Sequence, residues 1–158
     1  MPRRIAMGFA VLVTACATVF TAIAPVAAHD LNTNRFQVEL RGDAGHYEDV
    51  GREGPSIGDY LVFRERVYHR GDRVGRINGH CDVTRAGAGR FALQCTVTLF
   101  LRHRGQIAMQ GLYAFSRRGP EGAATFAITG GTGWYRHASG TATLVERERG
   151  TRLRIDMR

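Results

Sequence analysis

Residues 91–101 read Phe91-Ala92-Leu93-Gln94-Cys95-Thr96-Val97-Thr98-Leu99-Phe100-Leu101. Every odd position is apolar, and the even neighbours include Gln94, Thr96 and Thr98. Side chains alternate faces along a β-strand, so this stretch buries one face and exposes the other; no 3.6-residue helical period fits it. The same period returns at Ile107, Met109, Gly111, Tyr113 and Phe115, and again at Leu153, Ile155 and Met157 between Arg152, Arg154 and Asp156. Working outward, the alternation predicts eight strands at 35–41, 59–69, 73–84, 90–102, 106–116, 123–129, 139–147 and 151–157. Residues 42–58 form the only long irregular stretch between them.

The connections are short and glycine-bearing: Arg70-Gly71-Asp72, Gly87-Ala88-Gly89, His103-Arg104-Gly105, Arg117 to Gly122, and Gly150. Parallel strands need crossovers of a dozen residues or more, so these join antiparallel neighbours. Eight such strands, each with one apolar face, bury those faces by closing into an eight-stranded antiparallel β-barrel, which is the fold class expected here. A two-sheet sandwich is the structural rival.

The chain opens with Pro2-Arg3-Arg4, an apolar run from Ile5 to Ala24, and Pro25-Val26-Ala27-Ala28. That is the charge, apolar run and small-residue ending of a secretory signal peptide, with cleavage expected after Ala28. A retained membrane anchor and lipidation at Cys16 are the competing readings. The small-residue ending argues against the first. The second would leave the apolar stretch 17–28 exposed. Residues 1–28 are thus read as a leader, and residues 29–158 as one domain in an exported, secreted or extracytoplasmic protein with no membrane span after cleavage. The remaining 130 residues hold one core and not two.

All 22 basic residues are arginine, and two lie in the leader, leaving 20 against 14 acids, a net charge of +6. An anionic partner is one reading of this charge, and arginines on solvated strand faces are the plainer one. No aromatic platform of the kind that stacks bases is interleaved with it, so nucleic acid is not the expected partner. Hydrophobic residues at 44% and charged residues at 23% exclude a disordered chain.

Turn centres set an approximate register. Folding about Gly71 places Leu61 opposite Cys81 and Glu65 opposite Ile77. Folding about Ala88 places Cys81 opposite Cys95. Folding about Arg104 places Cys95 opposite Tyr113. Cys81 and Cys95 are the only cysteines after the leader. Directly opposed on neighbouring strands in an oxidising compartment, they are within reach of a disulfide, the alternative being two free buried thiols. Glu65 shares its face with Leu61, Phe63 and Val67, so the alternation points a carboxylate inward. A carboxylate desolvated in an apolar cavity is a candidate functional group, the plainer reading being a rim position paired with arginine.

The order and spacing of Gly58-Asp59-Tyr60-Leu61-Val62-Phe63, Gly79-His80-Cys81, Gln110-Gly111-Leu112-Tyr113 and Ala127-Ile128-Thr129-Gly130-Gly131-Thr132-Gly133-Trp134-Tyr135 resemble the allene oxide cyclase and dirigent superfamily. The match is with its bacterial allene-oxide-cyclase-like barrels in particular, over about residues 36–158. The resemblance implies a barrel with an apolar cavity, trimeric in plant members, that folds a reactive substrate into one conformation for stereoselective cyclisation or isomerisation. It implies that Cys81 matches the cavity cysteine of the plant cyclases and Tyr113 the tyrosine after their Gln-Gly motif. Glu65 stands where the plant enzymes carry an asparagine that helps hold an ordered water. Their inward glutamate–asparagine pair on the first strand has no counterpart, because Phe36, Val38 and Leu40 face inward here and Glu39 outward.

Other chemistries lack their signatures. Gly130-Gly131-Thr132-Gly133 has no Gly-Lys-Ser/Thr ending and reads as a tight connection setting Trp134 and Tyr135 near the barrel mouth. The histidines show no metal-ligand spacing, no cofactor motif occurs, and no Gly-x-Ser-x-Gly elbow is present. The expectation is therefore a barrel binding a hydrophobic small molecule, without metal or cofactor, and directing its cyclisation or isomerisation. Glu65 would act as acid–base group and Tyr113 would orient the substrate. Leu61, Phe63, Cys81, Met109 and Phe115 would form the wall. A non-catalytic lipocalin-like or dirigent-like carrier is the alternative, and a barrel filled by its own side chains is the third possibility.

Overall fold

The computed structural model describes residue 31, residues 33–147 and residues 150–158. The leader, its cleavage after Ala28, and Cys16 lie outside the described residues. Nine strands follow in order: β1 (Arg35–Glu48), β2 (Tyr60–His69), β3 (Asp72–Gly87), β4 (Arg90–Leu101), β5 (Gly105–Ser116), β6 (Gly119–Pro120), β7 (Ala124–Gly131), β8 (Gly140–Arg147) and β9 (Gly150–Met157). Between β7 and β8 lies a 3-10 turn, Gly133–Tyr135. All pairings are antiparallel, and they run β4-β3-β2-β1-β9-β8-β7-β5, with β5 returning to β4. The result is a closed eight-stranded barrel; the two-residue β6 only extends the end of β5.

The first two hairpins turn on residues with positive φ at both central positions, Arg70 (52°) with Gly71 (93°) and Ala88 (50°) with Gly89 (71°). That geometry matches the twist of the flanking strands. Each turn has two residues, so each closes half a residue away from the centre expected from a symmetric three-residue turn. A bulge at each end of β3, at Val67/Tyr68 on its β2 side and at Val83/Arg85 on its β4 side, absorbs the difference. Leu61 therefore does face Cys81, Glu65 faces Ile77 and Cys81 faces Cys95.

The third hairpin departs from expectation. Leu101 pairs with Gly105 around His103 (φ 60°), with no compensating bulge. The turn centre is His103 rather than Arg104, so Cys95 faces Gly111, and Tyr113 lies one inward step nearer the mouth, opposite Leu93. A slip of two keeps the parity, and Tyr113 stays on the inner face.

β1 also runs seven residues past its expected end at 41. A bulge between Gly42 and Ala44 breaks the apolar alternation there, yet Ala44–Glu48 continue to pair with Tyr60–Arg64. The extra residue, Asp43, is held by Arg64 Nε (2.8 Å) and Arg66 Nη2 (2.7 Å). Residues 49–59 form the irregular loop that joins β1 to β2.

The end of the barrel carrying the turns at Arg70 and His103 is filled by Val38, Val67, Leu99, Leu101, Ile107 and Ile155, all essentially without solvent contact. Tyr135 is buried at this filled end, its ring 6.5 Å from that of Phe36, while Trp134 is exposed under the Arg104 guanidinium. The Gly130–Gly133 connection therefore sits opposite the mouth, not near it: β7 runs antiparallel to β5, which itself runs toward the mouth.

Cys81 and Cys95 are joined by a disulfide, with Cα atoms 4.0 Å apart. Two measurements test this core. Urea denaturation of Leu99→Ala is expected to show a loss of about 2–5 kcal/mol, the usual range for truncating a buried leucine. Replacing both cysteines by serine is expected to remove about 3 kcal/mol, the value for a closed loop of roughly 15 residues.

Candidate functional site

Toward the other end the inner faces do not fill the barrel. A chamber of about 290 Å³ remains, bounded by Leu61, Phe63, Glu65, Cys81, Cys95, Met109, Tyr113 and Glu146 among others. Phe63 fits because its neighbour across the ladder is Gly79: a Cβ there would lie 2.3 Å from the Phe63 ring. Outward of the chamber is an apolar vestibule of about 440 Å³, walled by Tyr47, Pro55, Phe91, Phe115 and Pro120. The two spaces share Leu61, Leu93 and Tyr113. Phe115 thus belongs to the vestibule rather than the chamber, stacked between Phe91 (5.0 Å between ring centroids) and Tyr113 (6.0 Å).

Glu65 projects into the chamber, half-buried. The residue paired with it on β1 is Gly42, beside the bulge, so no side chain from that strand stands against the carboxylate. It has no hydrogen bond or ion pair among the described residues. Burial, then the negative charge of Glu146, raise its carboxyl above the ordinary glutamate value. No cation among the described residues offsets either effect, so Glu65 favours its protonated form more than a surface glutamate does.

Glu146 was not among the residues expected to form the site. It lies on β8 in phase with Ala142 and Leu144, so the parity that identified Glu65 points to it equally. It stands at the rim, exposed, and accepts a hydrogen bond from the Tyr113 hydroxyl. Burial and this bond to a carboxylate raise the Tyr113 hydroxyl pKa, keeping it a donor. Among the described residues, no three histidine, cysteine or acidic side chains are grouped so as to hold a metal ion. No described helix is long and apolar enough to cross a membrane.

A third carboxylate, Asp59, closes the loop 49–59 over the mouth. Fully buried, it accepts hydrogen bonds from Tyr47 Oη (2.5 Å), Val50 N (2.9 Å), Ser56 N (2.6 Å) and Ser56 Oγ (3.0 Å). The Tyr47 and backbone donors hold its pKa down to about 2, and the carboxylate pushes Tyr47 up to about 12. Asp59 is structural: its donors are all supplied by the chain.

Residues 35–157 match the model of the family described as "Allene oxide cyclase barrel like domain". The chain belongs to that family. A structure titled "Pyocyanin demethylase" is similar in fold, with TM-score 0.68 at 24% identity, covering 78% of this chain and 99% of that one. The Diels Alderase AbmU from Streptomyces koyangensis shares the fold at TM-score 0.55 and 14% identity, over 82% of this chain and 66% of that one. A search of curated proteins gives no match.

The two kinds of carboxylate predict opposite pH behaviour. Glu65 is raised in the folded state, so it destabilises the fold as pH rises above its unfolded value near 4.5. Glu65→Gln is therefore expected to raise the melting temperature at pH 7, and the gap to the parent should shrink at pH 4. Asp59 is lowered, so its stabilisation is present above about 3.8 and is lost as pH falls toward about 2. Hydrogen exchange in residues 49–59 should accelerate over that window, and Asp59→Asn should show the faster exchange already at pH 7.

Proposed function

We propose that this barrel is exported, with its leader removed after Ala28, and binds one hydrophobic small molecule in the chamber, directing its stereoselective cyclisation or isomerisation. The observation that carries this reading is a hollow apolar interior containing an unpaired, half-buried carboxylate, Glu65. A chamber filled by its own side chains would have no use for such a group. The two similar structures described above are named for reactions of small molecules, a demethylation and a Diels–Alder addition, which supports a small-molecule role here. The disulfide supports an oxidising compartment.

In this reading the apolar wall of Leu61, Phe63, Met109 and the Cys81–Cys95 bridge folds the ligand and excludes water. Tyr113, fixed by its bond to Glu146, orients the ligand from the mouth side. Glu65 gives or takes a proton at the reacting atom. Holding a flexible molecule near its reactive geometry itself supplies acceleration and stereocontrol, and the positioned acid adds a factor of about 10²–10⁴. A non-catalytic carrier is the second reading, favoured by a wall of Leu61, Phe63, Leu93 and Met109 that would hold an apolar ligand whether or not Glu65 acts on it. A trimer, which the resemblance implies, would suit the outer face of β4, β5 and β7. There Thr96, Thr98, Gln110 and Ala127 carry no charge in a chain otherwise dense with arginine.

Native mass spectrometry of protein purified from its own host is expected to show the chain carrying one co-purifying small molecule. With that molecule or its precursor as substrate, Glu65→Gln is expected to lower kcat about 10²–10⁴-fold, while the apolar wall and Glu146 still hold the ligand. Unchanged turnover would overturn the acid–base role, and binding without conversion by the parent protein would establish the carrier.

A further inference from the structure

The electrical character of the chamber is opposite to that of the chain. The sequence has 22 arginines and a formal net charge of +8, yet among the described residues none that lines the chamber is basic. The charged groups among them are two carboxylates, Glu65 within and Glu146 at the rim. Neither has an ion pair among the described residues, and Glu146 has the Tyr113 hydroxyl as its hydrogen-bond donor. Burying an anion without a partner is costly, so a site that keeps one open to its cavity is complementary to a cation.

A second observation, independent of the acids, points the same way. The approach to the chamber is aromatic: Phe91, Phe115 and Tyr113 form a stack of rings, with Tyr47 across the vestibule. Aromatic faces leading to carboxylates are the combination that recognises organic ammonium groups, because ring quadrupoles and anions both attract a weakly hydrated cation. A divalent metal is not the fit. Hard cations take six or more oxygen ligands, and the described residues gather no third acidic or histidine side chain here. A ligand ending in a carboxylate is also a poor fit, since it would meet two like charges in a low-dielectric space.

We infer that the ligand of this chamber is an apolar or aromatic molecule bearing a cationic nitrogen, which seats against Glu65 and Glu146 while its apolar body fills the chamber and vestibule. This rests on the small-molecule reading above and adds to it the ligand's charge. Long-range steering does not supply the preference, because the chain as a whole is positive and repels cations at a distance. The discrimination comes from the cavity itself.

Three probes of one size and differing charge test this: naphthylmethylamine, naphthylmethanol and naphthoate, titrated calorimetrically into the full mature chain at pH 7 and fixed salt. The amine is expected to bind at least about tenfold more tightly than the alcohol, with naphthoate weakest. The double variant Glu65→Gln/Glu146→Gln, shown to be folded by circular dichroism, should bring the amine to within about threefold of the alcohol measured on the same variant. Equal binding of amine and alcohol, or tightest binding of naphthoate, overturns the charge inference while leaving the binding chamber standing. Failure of all three probes to bind overturns the small-molecule reading and this inference with it.

Discussion

Closing the sheet through the β4–β5 ladder fixes which side of every strand is inside. Once a ring of antiparallel strands is complete, no strand can slip by one residue without turning its apolar teeth to solvent, a loss repeated at every inward position. The two bulges at the ends of β3 show how strictly this holds. Each tight turn alone would have put the flanking strands out of step, and each bulge restores the step before the central residues are reached. The disulfide, the Phe63–Gly79 contact and the inward aim of Glu65 all follow from that parity.

The interior is divided into a filled half and a hollow half, and the division is readable in residue size. Leu99, Leu101, Ile107 and Ile155 meet one another at the filled end. Toward the mouth, Gly79, Gly111 and the compact cystine stand at the corresponding positions, and they leave space that Phe63 only partly occupies. Two carboxylates illustrate what that space does. Asp59 is fully enclosed, yet the chain supplies four donors to it, so it remains ionised and pins a loop. Glu65 is less enclosed but receives no donor, so burial works against its charge. A group that the chain leaves unsatisfied is one that a ligand can satisfy.

The sequence carried most of the architecture because period-two alternation and glycine turns are local signals. Seven of the strand positions, the Cys81–Cys95 pairing and the inward face of Glu65 were all legible in this way. What escaped it was not local. The continuation of β1 to Glu48 was hidden by a bulge that interrupts the alternation. The Cys95–Gly111 pairing depended on whether the third turn centred on His103 or Arg104, which composition does not distinguish. Which end of the barrel the Gly130–Gly133 connection occupies depends on its strand's direction relative to the cavity, a property of the closed ring. Glu146 obeys the same parity as Glu65, but it ends a strand amid alternating charges, where an inward acid does not stand out. The loop clamp at Asp59 required knowing that Tyr47, Val50 and Ser56 converge on one carboxylate.

The central claim is that an apolar barrel interior holds a glutamate whose charge no described residue offsets. Carbon-detected NMR titration of the Glu65 side-chain carboxyl in the ligand-free protein measures this directly. The account predicts a midpoint above the ordinary glutamate value of 4.5, moving down when Glu146 is made neutral. A midpoint at or below 4.5 would mean that Glu65 is solvated or paired, and the barrel would then contain no open acid for a ligand to meet.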